Sequence, residues 1–207
     1  MLMEINPDNP QARLIAKVVE ILENGGIIAY PTDTTYGIGC SIMNKRGIER
    51  IYSLKQREKN KPFSFICSDL SDISRYAKVS NYQYKVMKRR LPGAFTFVLN
   101  ATNIVPNLLV TKQKTVGIRI PDNKICLAIV HALGHPIITT SANRSGEEPI
   151  GNPSVVNLEL GKQVDLVVDG GILSAAVSSV VSLIDDTPVI LRKGRGEVNW
   201  CESFLLS

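Results

Sequence analysis

Apolar residues recur at helical spacing near the start of the chain. Leu14, Ile15, Val18, Ile21 and Leu22 lie on one side of a 3.6-residue helix. Asn9 can cap that helix, and Pro10 suits a first turn, where its missing N–H costs nothing. Asn24-Gly25-Gly26 ends it, because glycine accepts the left-handed conformation of a helix C-terminus. Ile27-Ile28-Ala29-Tyr30 then predicts a short buried strand, stopped by Pro31. The same reasoning predicts helices near Lys45–Lys55, Asp69–Tyr76, Asn81–Arg90, Asn123–Leu133 and Pro153–Leu160. It predicts strands at Phe63–Cys67, Phe95–Leu99, Thr115–Ile120, Pro136–Thr140, Val164–Val168, Ser179–Ile184 and Val189–Arg192. Helices and strands interleave, yet strands follow one another directly near the C-terminus. An α/β domain with a mixed sheet follows from this order. No repeat and no Pro/Gly/Ser-rich linker divides the 207 residues, so residues 1–207 are read as one domain.

Composition narrows the class. No apolar run approaches the ~18 residues that span a bilayer, and the start, Met1-Leu2-Met3-Glu4-Ile5, lacks a basic cap followed by an apolar stretch. No membrane association and no signal peptide are therefore expected. Cys40, Cys67, Cys126 and Cys201 are scattered without a Cys-x-x-Cys pair, which fits thiols in a reducing cytoplasm better than a disulfide frame or a zinc site. The net charge of +5 is compatible with polyanionic partners such as nucleotide or RNA, and equally with a solubilising surface.

Four polar clusters lie at strand or helix ends, where open α/β sheets place their ligands. Thr32-Asp33-Thr34-Thr35-Tyr36-Gly37 offers hydroxyls to a small polar ligand, or forms a Thr-rich turn held by local hydrogen bonds. Lys55-Gln56-Arg57-Glu58-Lys59-Asn60-Lys61 could clamp a triphosphate, or is a solvated charge run. Alternation in Thr115–Ile120 puts Thr115, Gly117 and Arg119 on one face and Val116, Ile118 and Ile120 on the other. An arginine so placed needs a carboxylate or phosphate, from a ligand or from a structural ion pair. Thr139-Thr140-Ser141-Ala142-Asn143 follows an apolar strand; it can face a ligand or form a turn with a capping asparagine. There is no Ser-His-Asp arrangement and no Walker phosphate loop, and His131 and His135 sit at a predicted helix end.

In this order the clusters resemble the YrdC-like family. Its Lys-x-Arg and Ser-x-Asn pairs correspond to Lys55 with Arg57 and Ser141 with Asn143, and its Pro-Thr-Asp-Thr-x-Tyr-Gly stretch keeps Thr34, Tyr36 and Gly37. Lys61-Pro62, Pro92-Gly93 and Leu191-Arg192-Lys193-Gly194 extend the resemblance over nearly the whole chain. It implies a twisted mixed parallel/antiparallel sheet with flanking helices around a deep basic cavity. It also implies synthesis of threonylcarbamoyl-AMP and pyrophosphate from ATP, L-threonine and bicarbonate, for modification of tRNA at A37. On that pattern Lys55, Arg57, Ser141 and Asn143 are catalytic, and Arg57, Lys61, Thr115, Ser141 and Arg192 face ATP. Thr34, Arg119, Thr139 and Ser178 face L-threonine. Mg2+ would arrive with ATP, no protein metal site is expected, and tRNA, double-stranded RNA or proteins of the transfer system are possible partners.

Two features depart from the family pattern. Phe65-Ile66-Cys67 stands where many members carry a histidine near the threonine site, and Ser182 stands where an acid is common. The stretch Asn6-Pro7-Asp8-Asn9-Pro10-Gln11 resembles the YciO branch, a paralogous group. Three readings stand: the synthase, a YciO-like paralogue acting on a related nucleotide or adenylate, and an RNA-binding module without catalysis.

Overall fold

The computed structural model describes residues 1–56, 63–110, 113–144 and 146–202. These form ten strands and seven α-helices. The strands are β1 (Leu2–Glu4), β2 (Ile28–Pro31), β3 (Tyr36–Ser41), β4 (Ser64–Ile66), β5 (Phe95–Asn100), β6 (Thr115–Arg119), β7 (Ile137–Ser141), β8 (Leu166–Asp169), β9 (Ser179–Ser182) and β10 (Val189–Arg192). The helices are α1 (Ala12–Glu23), α2 (Lys45–Leu54), α3 (Leu70–Tyr76), α4 (Asn81–Lys88), α5 (Lys124–Leu133), α6 (Pro153–Leu160) and α7 (Asn199–Glu202). All strands join one sheet in the order β1-β8-β2-β3-β7-β4-β6-β5-β9-β10, with parallel and antiparallel neighbours. This is the mixed α/β architecture expected from the sequence.

Local chemistry fixes most helix ends. Asn44, Asp69, Asn123 and Asn152 each accept a backbone N–H at an N-terminus, and Ser80 and Gln83 form a reciprocal capping box. Gly134, at φ 74°, closes α5 in the left-handed conformation. Helix α1 is the exception. It begins at Ala12 after Gln11, with no side-chain cap. Asn9 does not cap it, because Asn6 Oδ1 accepts the N–H groups of Asp8 and Asn9 and holds that stretch in a turn. Two strands escape the sequence reading. The short edge strand β1 lies within the first five residues. Strand β3 has all six positions buried and two glycines, so it shows no alternation.

The two faces of the sheet are covered unequally. One face carries Ile38, Phe65, Phe97, Val116, Ile118 and Ile138, which pack with apolar residues of α2, α3, α4 and α6 in the larger core. The opposite face is covered by α1 and α5 over only part of its width. There Ile28, Tyr30, Ile137, Leu166 and Val168 pack with Ile15, Val18 and Leu22 of α1 and with Ile125, Ile129 and Leu133 of α5. Each such side chain contributes about 2 kcal/mol by leaving water. Over β4, β5 and β6 that face instead carries Ser64, Thr96, Thr115, Gly117 and Arg119, and these border a cavity. Small and polar residues there deny a helix an apolar seat and leave room for a ligand.

Candidate functional site

The cavity has a volume of about 430 Å3. Among the described residues, ten serines and threonines line it, together with Arg119 and Arg192. Gly117 belongs to the floor. A Cβ there would lie 2.9 Å from Ser64 Oγ and 3.3 Å from Thr96 Cγ2, so the floor is already filled to contact without a side chain. The expected alternation in β6 holds: Thr115, Gly117 and Arg119 face the cavity, while Val116, Ile118 and Ile120 lie in the core.

The loop between β2 and β3 forms one wall. Thr32 Oγ1 donates to Thr35 O at 2.6 Å and accepts the N–H groups of Thr34 and Thr35. Thr35 Oγ1 donates to Ile150 O at 2.7 Å. The loop is thus a turn held by its own hydroxyls, and it also meets Arg119. Arg119 Nη2 donates to Thr34 Oγ1 at 2.6 Å, to Asp33 Oδ1, and more weakly to Thr32 Oγ1 at 3.4 Å. Arg119 and Asp33 form an ion pair with both side chains 9% exposed. The structural ion pair is therefore present, and the same arginine lines the cavity. Its Nε is buried and makes no hydrogen bond among the described residues.

Across the cavity, Arg192 donates from Nε and Nη2 to Ser178 O at 3.1 and 2.9 Å. Ser178 Oγ lies 3.2 Å from Arg192 Nη2 and 3.0 Å from Thr96 Oγ1. Tyr30 Oη donates to Thr139 Oγ1 at 2.7 Å, which leaves the Thr139 hydroxyl proton for another acceptor. Full burial pushes the Tyr30 phenol well above its ordinary range, so it stays a donor. Tyr36 points elsewhere. Its hydroxyl donates to Gly171 O at 2.8 Å and accepts from Gly170 N, tying down the chain after β8.

Lys55 and Asn143 lie behind Ser141 and not among the residues that line the cavity. The Lys55 ammonium, 4% exposed, donates to Ser141 O at 3.0 Å, to Asn143 O, and to Asn143 Oδ1 at 2.8 Å. Ser141 Oγ donates to the same Asn143 oxygen at 2.6 Å, and Asn143 Nδ2 donates to Glu147 O. Asn143 does not cap a helix; Asn152 caps α6. The two sequence pairs thus meet in space, with Lys55 gripping the Ser141–Asn143 turn. Arg57 and Lys61 lie outside the described residues.

Of the expected ligand-facing residues, Thr34, Thr115, Arg119, Thr139, Ser141, Ser178 and Arg192 share this one cavity. Sequence reasoning left Asp33, Ser64 and Thr96 unassigned. Alternation in β5, with Phe95, Phe97 and Leu99 in the core, would have placed Thr96 on the cavity side. The Asp33–Arg119 pairing spans 86 positions of sequence, and no local pattern announces it.

A family model named for Sua5, YciO and YrdC, and described as telomere recombination, matches residues 20–194. The chain belongs to the Sua5/YciO/YrdC family. Within it, the chain is 44% identical to the Escherichia coli protein YciO over 94% of this chain and 95% of YciO. The crystal structure of E. coli YciO superimposes with a TM-score of 0.92 at 43% identity, covering 96% and 97% of the two chains. A putative threonylcarbamoyl-AMP synthase of Methanocaldococcus jannaschii is 35% identical over 86% of each chain. The crystal structure of P. abyssi Sua5 complexed with L-threonine superimposes with a TM-score of 0.92 at 25% identity. It covers 98% of this chain, which spans 60% of that Sua5 chain. This Sua5/YciO/YrdC member thus shares its fold with YciO and with a threonine-binding relative. Among its described residues, no helix is long and apolar enough to cross a membrane. No cluster of three or more His, Cys, Asp or Glu among them could hold a metal ion.

Proposed function

We propose that the chain is a nucleotidyltransferase that makes threonylcarbamoyl-AMP. L-threonine and bicarbonate give the carbamate with loss of water. A carbamate oxygen then attacks the α-phosphorus of ATP, the bond to the bridging oxygen breaks, and pyrophosphate leaves. The carbamate supplies its own nucleophile, so the protein must bind, orient and neutralise charge. The observation that carries this reading is that Arg119 and Arg192 stand among hydroxyls in one cavity, whose described lining residues include no histidine. Such a wall suits phosphates and a small hydroxylated acid.

In this reading Thr115, Ser141 and Arg192, with Arg57 and Lys61, face ATP. Thr34, Arg119, Thr139 and Ser178 face L-threonine. Lys55 and Asn143 hold Ser141 in place. Mg2+ would enter with ATP: the wall is rich in hydroxyls, and the Asp33 carboxylate is engaged by Arg119, so the phosphates would supply the strongest ligands. Product transfer to tRNA would need partner proteins. The cytoplasm is the compartment that matches this substrate set.

The test is incubation of the protein with ATP, L-threonine and bicarbonate, with pyrophosphate measured and the nucleotide product identified by mass. The expected result is pyrophosphate release that needs all three substrates. A second reading, a YciO-like paralogue that binds nucleotide or RNA without efficient synthesis, is favoured by one observation: identity to YciO is higher than to the synthase relative. Tight ATP binding with no threonine-dependent product would select it.

A further inference from the structure

We propose that Tyr30 is a positioning residue for the cavity: its phenol fixes the Thr139 hydroxyl as a hydrogen-bond donor aimed at an acceptor oxygen of the amino-acid substrate. The proposal rests on the L-threonine half of the reading above and adds a residue that does not itself line the cavity.

Three observations carry it. The first is a path across the sheet. Tyr30 lies on β2 and Thr139 on β7, with β3 between them. Tyr30 pairs with Gly37, and Gly39 pairs with Thr139, so the four residues share one face. Two strand spacings amount to about 10 Å, and the tyrosine spans that gap by lying over β3. A Cβ on Gly39 would lie 3.1 Å from Tyr30 Cε1, and one on Gly37 would lie 3.4 Å from Tyr30 Cζ and 3.0 Å from Thr139 Oγ1. The two glycines keep the passage for the ring open.

The second is the direction of the bond. Tyr30 is fully buried, and Thr139 Oγ1, at 2.7 Å, is the hydrogen-bond partner of its hydroxyl among the described residues. Were Thr139 the donor, the phenol proton would be buried with no acceptor among those residues, an arrangement native proteins avoid. Tyr30 therefore donates. Thr139 donates to no described residue, so its own proton remains for the cavity it lines.

The third is a division of roles. Thr139 is among the lining residues and Tyr30 is not. Phenylalanine would fill the same passage; what the tyrosine adds is the bond to Thr139. A threonine hydroxyl without that bond rotates, and accepts as readily as it donates. With Tyr30 in place its orientation is set, and a hydroxyl that already accepts a hydrogen bond donates more strongly. The wall at Thr139 thus favours a carboxylate or carbamate oxygen and disfavours an ammonium group. A donor oriented before the ligand arrives suits an anion on which charge must be held.

The test is a double-mutant cycle of Tyr30→Phe, Thr139→Val and the double variant, with L-threonine and ATP binding measured by titration calorimetry and stability by thermal denaturation. Tyr30→Phe is expected to weaken L-threonine about fivefold and to leave ATP within about twofold. In the Thr139→Val background the same change should alter L-threonine less than about twofold, because the effect runs through Thr139. Thr139→Val leaves the phenol without its acceptor and should lower Tm; adding Tyr30→Phe should restore most of the loss. Unchanged L-threonine binding in Tyr30→Phe would overturn the proposal. So would equal losses in the two backgrounds, or equal losses for the two ligands, since either marks Tyr30 as a packing residue. If Thr139→Val does not fold alone, Tyr30→Phe still gives the threonine-against-ATP split; a Tyr30→Phe protein that does not fold overturns the proposal. Coupled L-threonine binding without pyrophosphate release would sink the synthase reading and leave the positioning role standing. Threonine-dependent pyrophosphate release without coupling would do the reverse. A wild-type protein that binds no L-threonine overturns both.

Discussion

Lys55 Nζ lies 2.8 Å from Asn143 Oδ1, and the same ammonium reaches the carbonyls of Ser141 and Asn143. A buried cation surrounded by acceptors orders the turn that follows β7. Replacing it with methionine keeps the stem and leaves those acceptors without their charged donor. Lys55→Met is expected to cost about 2–3 kcal/mol, the scale for hydrogen bonds to a charged group left unmade. Thermal denaturation should show a fall in Tm of roughly 5–10 °C for a chain of this size. A Tm within about 1 °C of wild type would mean that the turn holds without the ammonium.

Arg119→Ala is expected to raise the KM for L-threonine by roughly two orders of magnitude, the scale for losing a charge-assisted carboxylate contact out of water. ATP should be affected little, because Arg192, Thr115 and Ser141 remain. Calorimetry with each ligand checks the split, and equal losses for the two would count against Arg119 as the carboxylate anchor.

Gly117→Val places a branched side chain on the cavity side of β6, where even a Cβ lies 2.9 Å from Ser64 Oγ. Valine suits a strand, and the Ser64 hydroxyl can turn away. The fold should persist while both ligands bind at least tenfold more weakly. Circular dichroism together with ligand titration separates the two effects.

Stability should fall in alkali. Burial pushes the thiols of Cys40 and Cys126 from the ordinary value of 9.0 up to about 12, and raises Cys67 as well. Below pH 9 the thiols are protonated in both states and the contribution is complete. Between pH 9 and about 12 the unfolded chain releases protons that the folded chain keeps, so stability declines as pH rises. Each thiol contributes a slope of about 1.4 kcal/mol per pH unit. Urea melts at pH 8, 9.5 and 10.5 should show this decline, and Cys126→Ala should make it shallower.

The legible parts of the fold were those set by local chemistry. Asn123 and Gly134 bracket α5 because a cap and a left-handed glycine each act within a few residues. The side of β6 that faces ligand could be read because alternation fixes it. Strand β3 was hidden because burial on both sides removes alternation, and Gly37 and Gly39 imitate a turn. In the site, Thr34, Thr115, Arg119 and Thr139 lay in recognisable clusters and Arg192 came only through the family resemblance, but Thr96 and the partners of these residues were not legible. Asp33 with Arg119, Tyr30 with Thr139 and Arg192 with Ser178 are pairings made by the sheet order, and only the folded chain brings them together.

One strand, β6, borders the cavity with one side and the core with the other. A substitution at Val116 or Ile118 is felt by the whole molecule, whereas one at Thr115 or Gly117 is felt first by whatever the cavity holds. Substrate preference can therefore drift within this lineage at alternate positions of a single strand, with little disturbance of the core beneath it. Close superposition, such as that of YciO and of Sua5 on this chain, reports the core side of such a strand and leaves its cavity side free to vary.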